Sequence, residues 1–496
     1  MALLREIKAH YGRITSFIDG RWQGSGSNST FIDKNPAKDE EIAQVEISSL
    51  GEIEAAIDSA WKAFQHWKEV PFRDRADYLS RMRAALQKRH EELSRILVQD
   101  HGRTIGEARG TVQRCIENIE SALSAMYSLY KGEHVMQLAR GIDCYMIWEP
   151  VGPFLILTPG NIPMHAWSSF VPYALGCGCT VVVSPSWQNP VASYAIFKVI
   201  EEEVALPKGV MNLVNVGDQY HLNQRILEDP KIQGVGFIGS SKVGKELFEL
   251  AGRLGKRSSI NGNGKNHIVI LEDADLRNAV EYALRGCFGM TGQRCLGSDN
   301  VLVVDSVYDT FKAMVLNSAK ALKVGYGLYE ETQMGPLTTR GGKEKVINFI
   351  EKGIQEGAKL LLDGRTISVE GFKRGYFLGP TIFEDVTKDM WISKEESFGP
   401  VMNLIRIKDL SEAISIINGN TNYGHSACIV TSSGKNARRF VYECNVGNIG
   451  INAGIPQPYA FYPLGSKRES FFGMAKSRID SVRLFLDQKT VTERWV

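Results

Sequence analysis

Five short, unbroken apolar runs constrain this chain most: Phe154-Leu-Ile-Leu, Thr180-Val-Val-Val, Val210-Met-Asn-Leu-Val, Gln233-Gly-Val-Gly-Phe-Ile and His267-Ile-Val-Ile-Leu. A strand with water on one side alternates polar and apolar residues; a strand without that alternation is covered on both faces. Helical patterns over 191–205 and 241–254 separate several of these runs, and such alternation builds a parallel, doubly wound sheet. A second series predicts a second α/β lobe: Val301-Leu-Val-Val, a helical 306–323, Lys359-Leu-Leu-Leu, a helical 410–418 and Ala427-Cys-Ile-Val. Upstream, Ile53, Ala56, Ile57, Ala60, Trp61 and Phe64 form the stripe of an amphipathic helix over 51–66. Residues 73–100 read as one long helix ended by His101-Gly102, and 105–130 as another. Residues 132–149 read as paired extended segments, and 480–496 as a last strand in which Val482, Leu484 and Leu486 alternate. Such protruding edges seek a neighbouring subunit.

With 496 residues, 43% of them hydrophobic, the chain can bury more than one core. Fifty-eight basic against 56 acidic residues leave a net charge of +2, no field for a polyanion, so nucleic acid and membrane surfaces do not fit as partners. The eight cysteines are scattered, none in a C-x-x-C, and Cys177-Gly-Cys179 is too tight for a zinc knuckle. That usage predicts reduced thiols, a cytoplasmic setting and no bound metal. No apolar stretch approaches the roughly 18 residues of a membrane helix, and the first residues lack the apolar core of a secretory signal.

Chemistry concentrates in Phe288-Gly-Met-Thr-Gly-Gln-Arg-Cys-Leu-Gly-Ser. A cysteine framed by glycines is open to close approach, and the adjacent Arg294 is a cation able to lower the Cys295 thiol, which makes Cys295 a candidate nucleophile. A small buried apolar cysteine is the alternative. Gly239-Ser-Ser-Lys-Val-Gly244-Lys245-Glu246 nearly spells a phosphate loop, but Glu246 stands where a magnesium-holding hydroxyl belongs. Glycine and serine at a helix start still suit an anion, and a dinucleotide pyrophosphate needs no metal there.

Taken in order, these segments resemble the aldehyde dehydrogenase superfamily along nearly the whole chain. The landmarks are Gly292-Gln-Arg-Cys295, Asn161 in Thr158-Pro-Gly-Asn-Ile-Pro, Phe237-Ile-Gly-Ser240 with Gly244, Glu395-Glu-Ser-Phe-Gly-Pro400, Met334-Gly-Pro-Leu337, Gly375-Tyr-Phe-Leu-Gly-Pro380 and Pro463-Leu-Gly-Ser-Lys467. Within it the chain is most similar to the methylmalonate-semialdehyde dehydrogenase branch. Asn261-Gly-Asn-Gly-Lys-Asn266 stands where most members carry a general-base glutamate; Arg114 joins Arg294 in a pair resembling that branch's carboxylate clamp; and Leu486-Asp-Gln-Lys-Thr-Val-Thr-Glu-Arg-Trp495 is like its ending.

The resemblance implies two doubly wound parallel-sheet lobes plus a β oligomerisation arm. Residues 10–131 and 150–263 would form the dinucleotide-binding domain, 264–474 the catalytic domain, and 132–149 with 475–496 the arm of a homotetramer or homodimer. It implies Cys295 as nucleophile and Asn161 as oxyanion donor, with Arg114 and Arg294 holding a substrate carboxylate. Thr158, Pro159, Ser184, Trp187, Gly239, Ser240, Val243, Glu396 and Phe398 would hold NAD or NADP, Glu396 at the nicotinamide ribose and Phe398 behind the ring. From the chemistry, Asn261 has no basic oxygen, so water is poorly activated and coenzyme A is the expected acyl acceptor. One departure concerns the adenosine ribose: the family's Lys-Pro-Ser-Glu reads Ser184-Pro-Ser-Trp187 here. Without that carboxylate a 2′-phosphate is not repelled, so NADP becomes tolerable beside NAD. Two other readings stay open, a hydrolytic dehydrogenase of another small aldehyde and a catalytically silent family member.

Overall fold

The computed structural model describes residues 3–24, 26, 29–129 and 131–495. Its larger sheet has five parallel strands at the centre, in spatial order Arg257–Asn261, Gly234–Ile238, Phe154–Thr158, Val181–Pro185 and Met211–Leu213. Antiparallel strands Ser16–Ile18 and Arg21–Gln23 extend one edge, and Phe471–Gly473 the other. The chain enters at Phe154–Thr158, winds outward through Val181–Pro185 and Met211–Leu213, then returns to wind the other way. Its switch point lies between Phe154–Thr158 and Gly234–Ile238, where doubly wound sheets open a crevice at the strand ends.

The unbroken apolar runs are explained by what lies on each face. Phe154, Ile156, Val181 and Val183 belong to one hydrophobic cluster, and Leu155, Leu157 and Val182 to another. Successive side chains point to opposite faces, so both faces need apolar cover. Helix Leu50–Trp67 supplies part of that cover; Ser49 caps it by accepting from the Glu52 amide while Glu52 accepts from the Ser49 amide at 2.8 Å.

The second sheet runs Lys359–Leu362, Thr381–Glu384, Val401–Ile407, Ser298–Val304, Asn266–Ile270, Ser426–Val430, Asn448–Ile451, parallel throughout except the first. It too divides its side chains, Val269 and Leu302 into one cluster, Ile268, Val301 and Val303 into another. A separate three-stranded antiparallel sheet joins Glu133–Ala139, Ile142–Pro150 and Leu486–Arg494. Glu133–Ala139 is exposed along its whole length and leaves an open edge.

Two expectations are corrected. The helix expected over 73–100 is two helices, Phe72–Lys88 and His90–His101, parted at Arg89 (φ −99°, ψ 16°). There the guanidinium pairs with Glu92 and with Glu202 at 3.0 Å; a break of one residue leaves the apolar period intact and therefore unseen. The strand expected over 480–496 begins only at Leu486: Arg478–Ser481 and Val482–Phe485 are helical turns. Val482, Leu484 and Phe485 are all buried, so the alternation seen in the sequence comes from burial around a turn. The expected ends at 130 and 496 lie outside the described residues.

Candidate active site

Cys295 sits on a loop whose backbone is held under strain. Helix Leu276–Phe288 ends, and Met290 (φ 51°), Thr291 (56°) and Gly292 (71°) follow in the left-handed region. Each non-glycine there costs about 1–2 kcal/mol and persists only when its surroundings enforce it. The enforcement is visible. The Met290 amide donates to Glu107 at 2.6 Å, Thr291 Oγ1 donates to the Gly335 carbonyl at 2.9 Å, and Gln293 Oε1 accepts from the Thr338 amide at 3.0 Å. Gly292 lies so close to Gly399 that a Cβ would stand 1.9 Å from its carbonyl oxygen.

Two asparagines reach this loop from the two sheets. Asn161, beyond the end of Phe154–Thr158, donates its side-chain amide to the Gln293 carbonyl at 3.0 Å. Asn266, at the start of Asn266–Ile270, donates to the carbonyls of Cys295 at 2.8 Å and Gly297 at 2.6 Å. The buried Arg103 guanidinium in turn holds the Asn161 carbonyl. Asn266 was legible only as part of a motif, and Arg103 carried no sequence signal of its own.

Burial pushes the Cys295 thiol up to about 12, the Glu396 charge adds to this, and Arg478 is the cation that opposes it most. Arg294, expected in that part, also interacts electrostatically with Cys295, while its Nη2 lies 3.4 Å from Glu107. Arg114 forms the i, i+3 pair with Glu117 at 2.7 Å that its spacing allows, and its guanidinium stands 4.9 Å from the Tyr459 ring centre. Arg114 and Arg294 are thus each occupied by a different glutamate.

The crevice at the strand ends collects the other expected residues. Register places Leu157 opposite Ser184, Thr158 opposite Pro185 and Ile238 opposite Asn261. Thr158 Oγ1, Ser184 Oγ and both polar atoms of the Asn261 side chain are buried without a hydrogen-bond partner among the described residues. Such orphans are rare and mark places where a ligand or water completes the bonding. Gly239 has no room for a side chain, since a Cβ would meet the Phe237 ring at 2.3 Å. Ser240 caps helix Ser241–Arg253 through the Val243 amide. Pro159 is half-buried in the turn after Thr158, and Trp187 is exposed, its ring edge-on to Phe31 at 6.3 Å. Glu396 accepts from the Gly264 amide at 2.9 Å and from the Asn263 side chain, and burial raises its carboxyl to about 7. Phe398 beside it adopts φ 48°. Orphaned hydroxyls, a glycine with no space for a Cβ and a capped helix start suit a dinucleotide.

A cysteine held between the two sheets, beside such a crevice, is matched over residues 22–491 by the model of the aldehyde dehydrogenase family. The chain belongs to that family. It is 36% identical to malonate-semialdehyde dehydrogenase 2 of Shouchella clausii, over 97% of this chain and 98% of that one. It is 35% identical to malonate-semialdehyde dehydrogenase 1 of Oceanobacillus iheyensis, over 99% and 100%. Among solved structures it is similar to methylmalonate-semialdehyde dehydrogenase of Oceanimonas doudoroffii, with TM-score 0.94, 34% identity, and 98% and 99% of the chains covered. A Sinorhizobium meliloti protein assigned to the same activity and complexed with NAD superposes with TM-score 0.94 at 31% identity, covering 98% of both chains. The fold is therefore that of an aldehyde dehydrogenase, and the protein is an oxidoreductase acting on aldehydes. No helix among the described residues is long and apolar enough to cross a membrane.

Proposed function

We propose that this aldehyde dehydrogenase oxidises a small carboxylated aldehyde, malonate or methylmalonate semialdehyde, and passes the acyl group to coenzyme A. The observation that carries the reading is Asn261: a fully buried amide, without a hydrogen-bond partner among the described residues, where most family members keep a basic carboxylate. The names of the relatives support the substrate class.

Cys295 Sγ attacks the aldehyde carbon. The Asn161 side-chain amide and the Cys295 backbone N–H take up the charge developing on oxygen, each worth about 3 kcal/mol. When bound, a nicotinamide dinucleotide, NAD or NADP, would supply the hydride acceptor. Thr158, Pro159, Ser184, Trp187, Gly239, Ser240, Val243, Glu396 and Phe398 would hold it, Glu396 at the nicotinamide ribose and Phe398 behind the ring. The thioester left on Cys295 meets no strong base at Asn261, so a thiol discharges it faster than water. Arg114 and Arg294 would bind the substrate carboxylate through planar guanidinium forks, each giving up the glutamate it faces in the free protein. The dinucleotide domain comprises 10–131 and 150–263, the catalytic domain 264–474, and 132–149 with 475–496 form the arm that joins subunits.

One observation favours a second reading, hydrolysis. Glu396 is the carboxylate whose charge weighs most on the Cys295 thiol, and it titrates near neutrality. The assay that separates the two follows reduced nicotinamide with malonate semialdehyde, NAD or NADP, with and without coenzyme A. Sustained turnover only with coenzyme A is the expected result; equal rates without it would establish hydrolysis.

A further inference from the structure

Arg114 and Arg294 each have a glutamate within 4 Å, at 2.7 and 3.4 Å. Arg478 has no such partner among the described residues. Its guanidinium donates to the Pro458 carbonyl and to Nε2 of His165 at 3.2 Å, and its Nε–H finds no acceptor. It is 1% exposed. Burial keeps His165 neutral, and Arg478 and Arg114 oppose its protonation further, so the imidazole supplies no counter-charge. A buried cation bound only to neutral acceptors is poorly compensated until an anion arrives.

The backbone of Arg478 is equally out of place. Its φ is 68°, a left-handed conformation open to glycine and strained for arginine. Strain and an unbalanced charge on one buried residue are the combination found at ligand-binding positions.

Its surroundings join it to the proposed aldehyde pocket. The turn Arg478–Ser481 packs on helix Pro163–Gly176, whose preceding loop holds Asn161, through Ser481 Oγ donating to the Ser169 carbonyl at 3.0 Å. Pro458, which Arg478 grips, precedes the Tyr459 whose ring faces the Arg114 guanidinium. The charge of Arg478 is felt both at Cys295 and by Arg114.

We infer that Arg478 binds the anionic group of the aldehyde together with Arg114, and so selects carboxylated over neutral substrates. This rests on the reading of Cys295 as nucleophile. The free Nε–H and the planar fork supply donors that a carboxylate matches.

The test compares iodoacetate with iodoacetamide at Cys295, located by peptide mass spectrometry. Both lose iodide to the same sulfur and differ by a carboxylate, so their rate ratio is insensitive to the thiol's ionisation. In the wild-type protein, a charge-assisted contact should favour iodoacetate about tenfold over the ratio shown by glutathione. Arg478→Gly, which suits φ 68°, should bring the ratio most of the way down towards that of glutathione, with Arg114 keeping the remainder; Arg478→Lys should retain most of the preference. A wild-type ratio equal to that of glutathione, or one unchanged in Arg478→Gly, overturns the inference, and the first needs no variant to fold. The same variants should lower the ratio of kcat/KM for malonate semialdehyde over propionaldehyde by about tenfold. If the wild type turned over no aldehyde, the dehydrogenase reading would fall while the alkylation ratio would still decide the role of Arg478.

Discussion

Around Cys295 the loop's backbone is held by side chains: Asn266 bonds two of its carbonyls, Asn161 a third, and Glu107 the Met290 amide. At the ends of the first sheet's strands, the side chains of Thr158, Ser184 and Asn261 are buried without a hydrogen-bond partner among the described residues. One region is preorganised by its own chain and carries strain to be so; the other leaves donors and acceptors unfilled. Chemistry that must hold atoms in place belongs in the first, and a ligand that comes and goes belongs in the second.

The largest effect expected from breaking this contrast is at Gly292. In Gly292→Ala the new Cβ meets the Gly399 carbonyl oxygen at 1.9 Å from a φ of 71°, so the loop must move. Dehydrogenase activity should fall by at least about a hundredfold, in line with the cost of misplacing a reacting group by an ångström. Near-normal kcat would show that the loop is not held as tightly as its contacts indicate. Asn266→Ala should come next, since two buried carbonyls lose their donor at about 1–3 kcal/mol each. Thermal denaturation should show a clear fall in Tm, together with lower kcat.

The crevice should respond in the opposite sense. Ser184→Ala and Thr158→Val remove hydroxyls that find no partner among the described residues, so Tm should stay level or rise, while KM for the dinucleotide increases several-fold. A loss of Tm comparable to that of Asn266→Ala would erase the distinction between the two regions.

The smallest effect concerns pH. With its thiol pushed up to about 12, Cys295 should react with iodoacetamide at a rate still climbing steadily between pH 7 and 10, without a plateau. Glu396 titrates near 7 and is charged above it, where its charge raises the thiol. Glu396→Gln should therefore speed alkylation above pH 7 and change little below it.

Much of the fold was legible because it rests on patterns read over many residues. Phe154-Leu-Ile-Leu and its counterparts, alternating with helical patterns, read as doubly covered strands, and helix Leu50–Trp67 carried its apolar stripe. Where a single residue decides, the pattern is silent: Arg89 parts two helices without disturbing their period, and Val482 and Leu484 alternate for a reason unrelated to a strand. The site shows the same division. Cys295 lies in a glycine-framed segment that shows its constraint, whereas Asn161, Thr158 and Ser184 were legible through the resemblance to the family. The pairing of Arg294 with Glu107, and the effect of the Arg478 charge on the Cys295 thiol, arise from residues 187 and 183 positions apart and leave no mark in either neighbourhood.

The central claim is that Cys295 carries the acyl group and that Asn261 leaves water a poor acceptor for it. The direct measurement is the mass of the intact protein, quenched after mixing with malonate semialdehyde and dinucleotide in the absence of coenzyme A. The expected result is one acyl group per chain, mapped to Cys295, that persists until coenzyme A is added and then disappears. Release of free acid at the full turnover rate without coenzyme A, or an unmodified Cys295 while dinucleotide is being reduced, would contradict it.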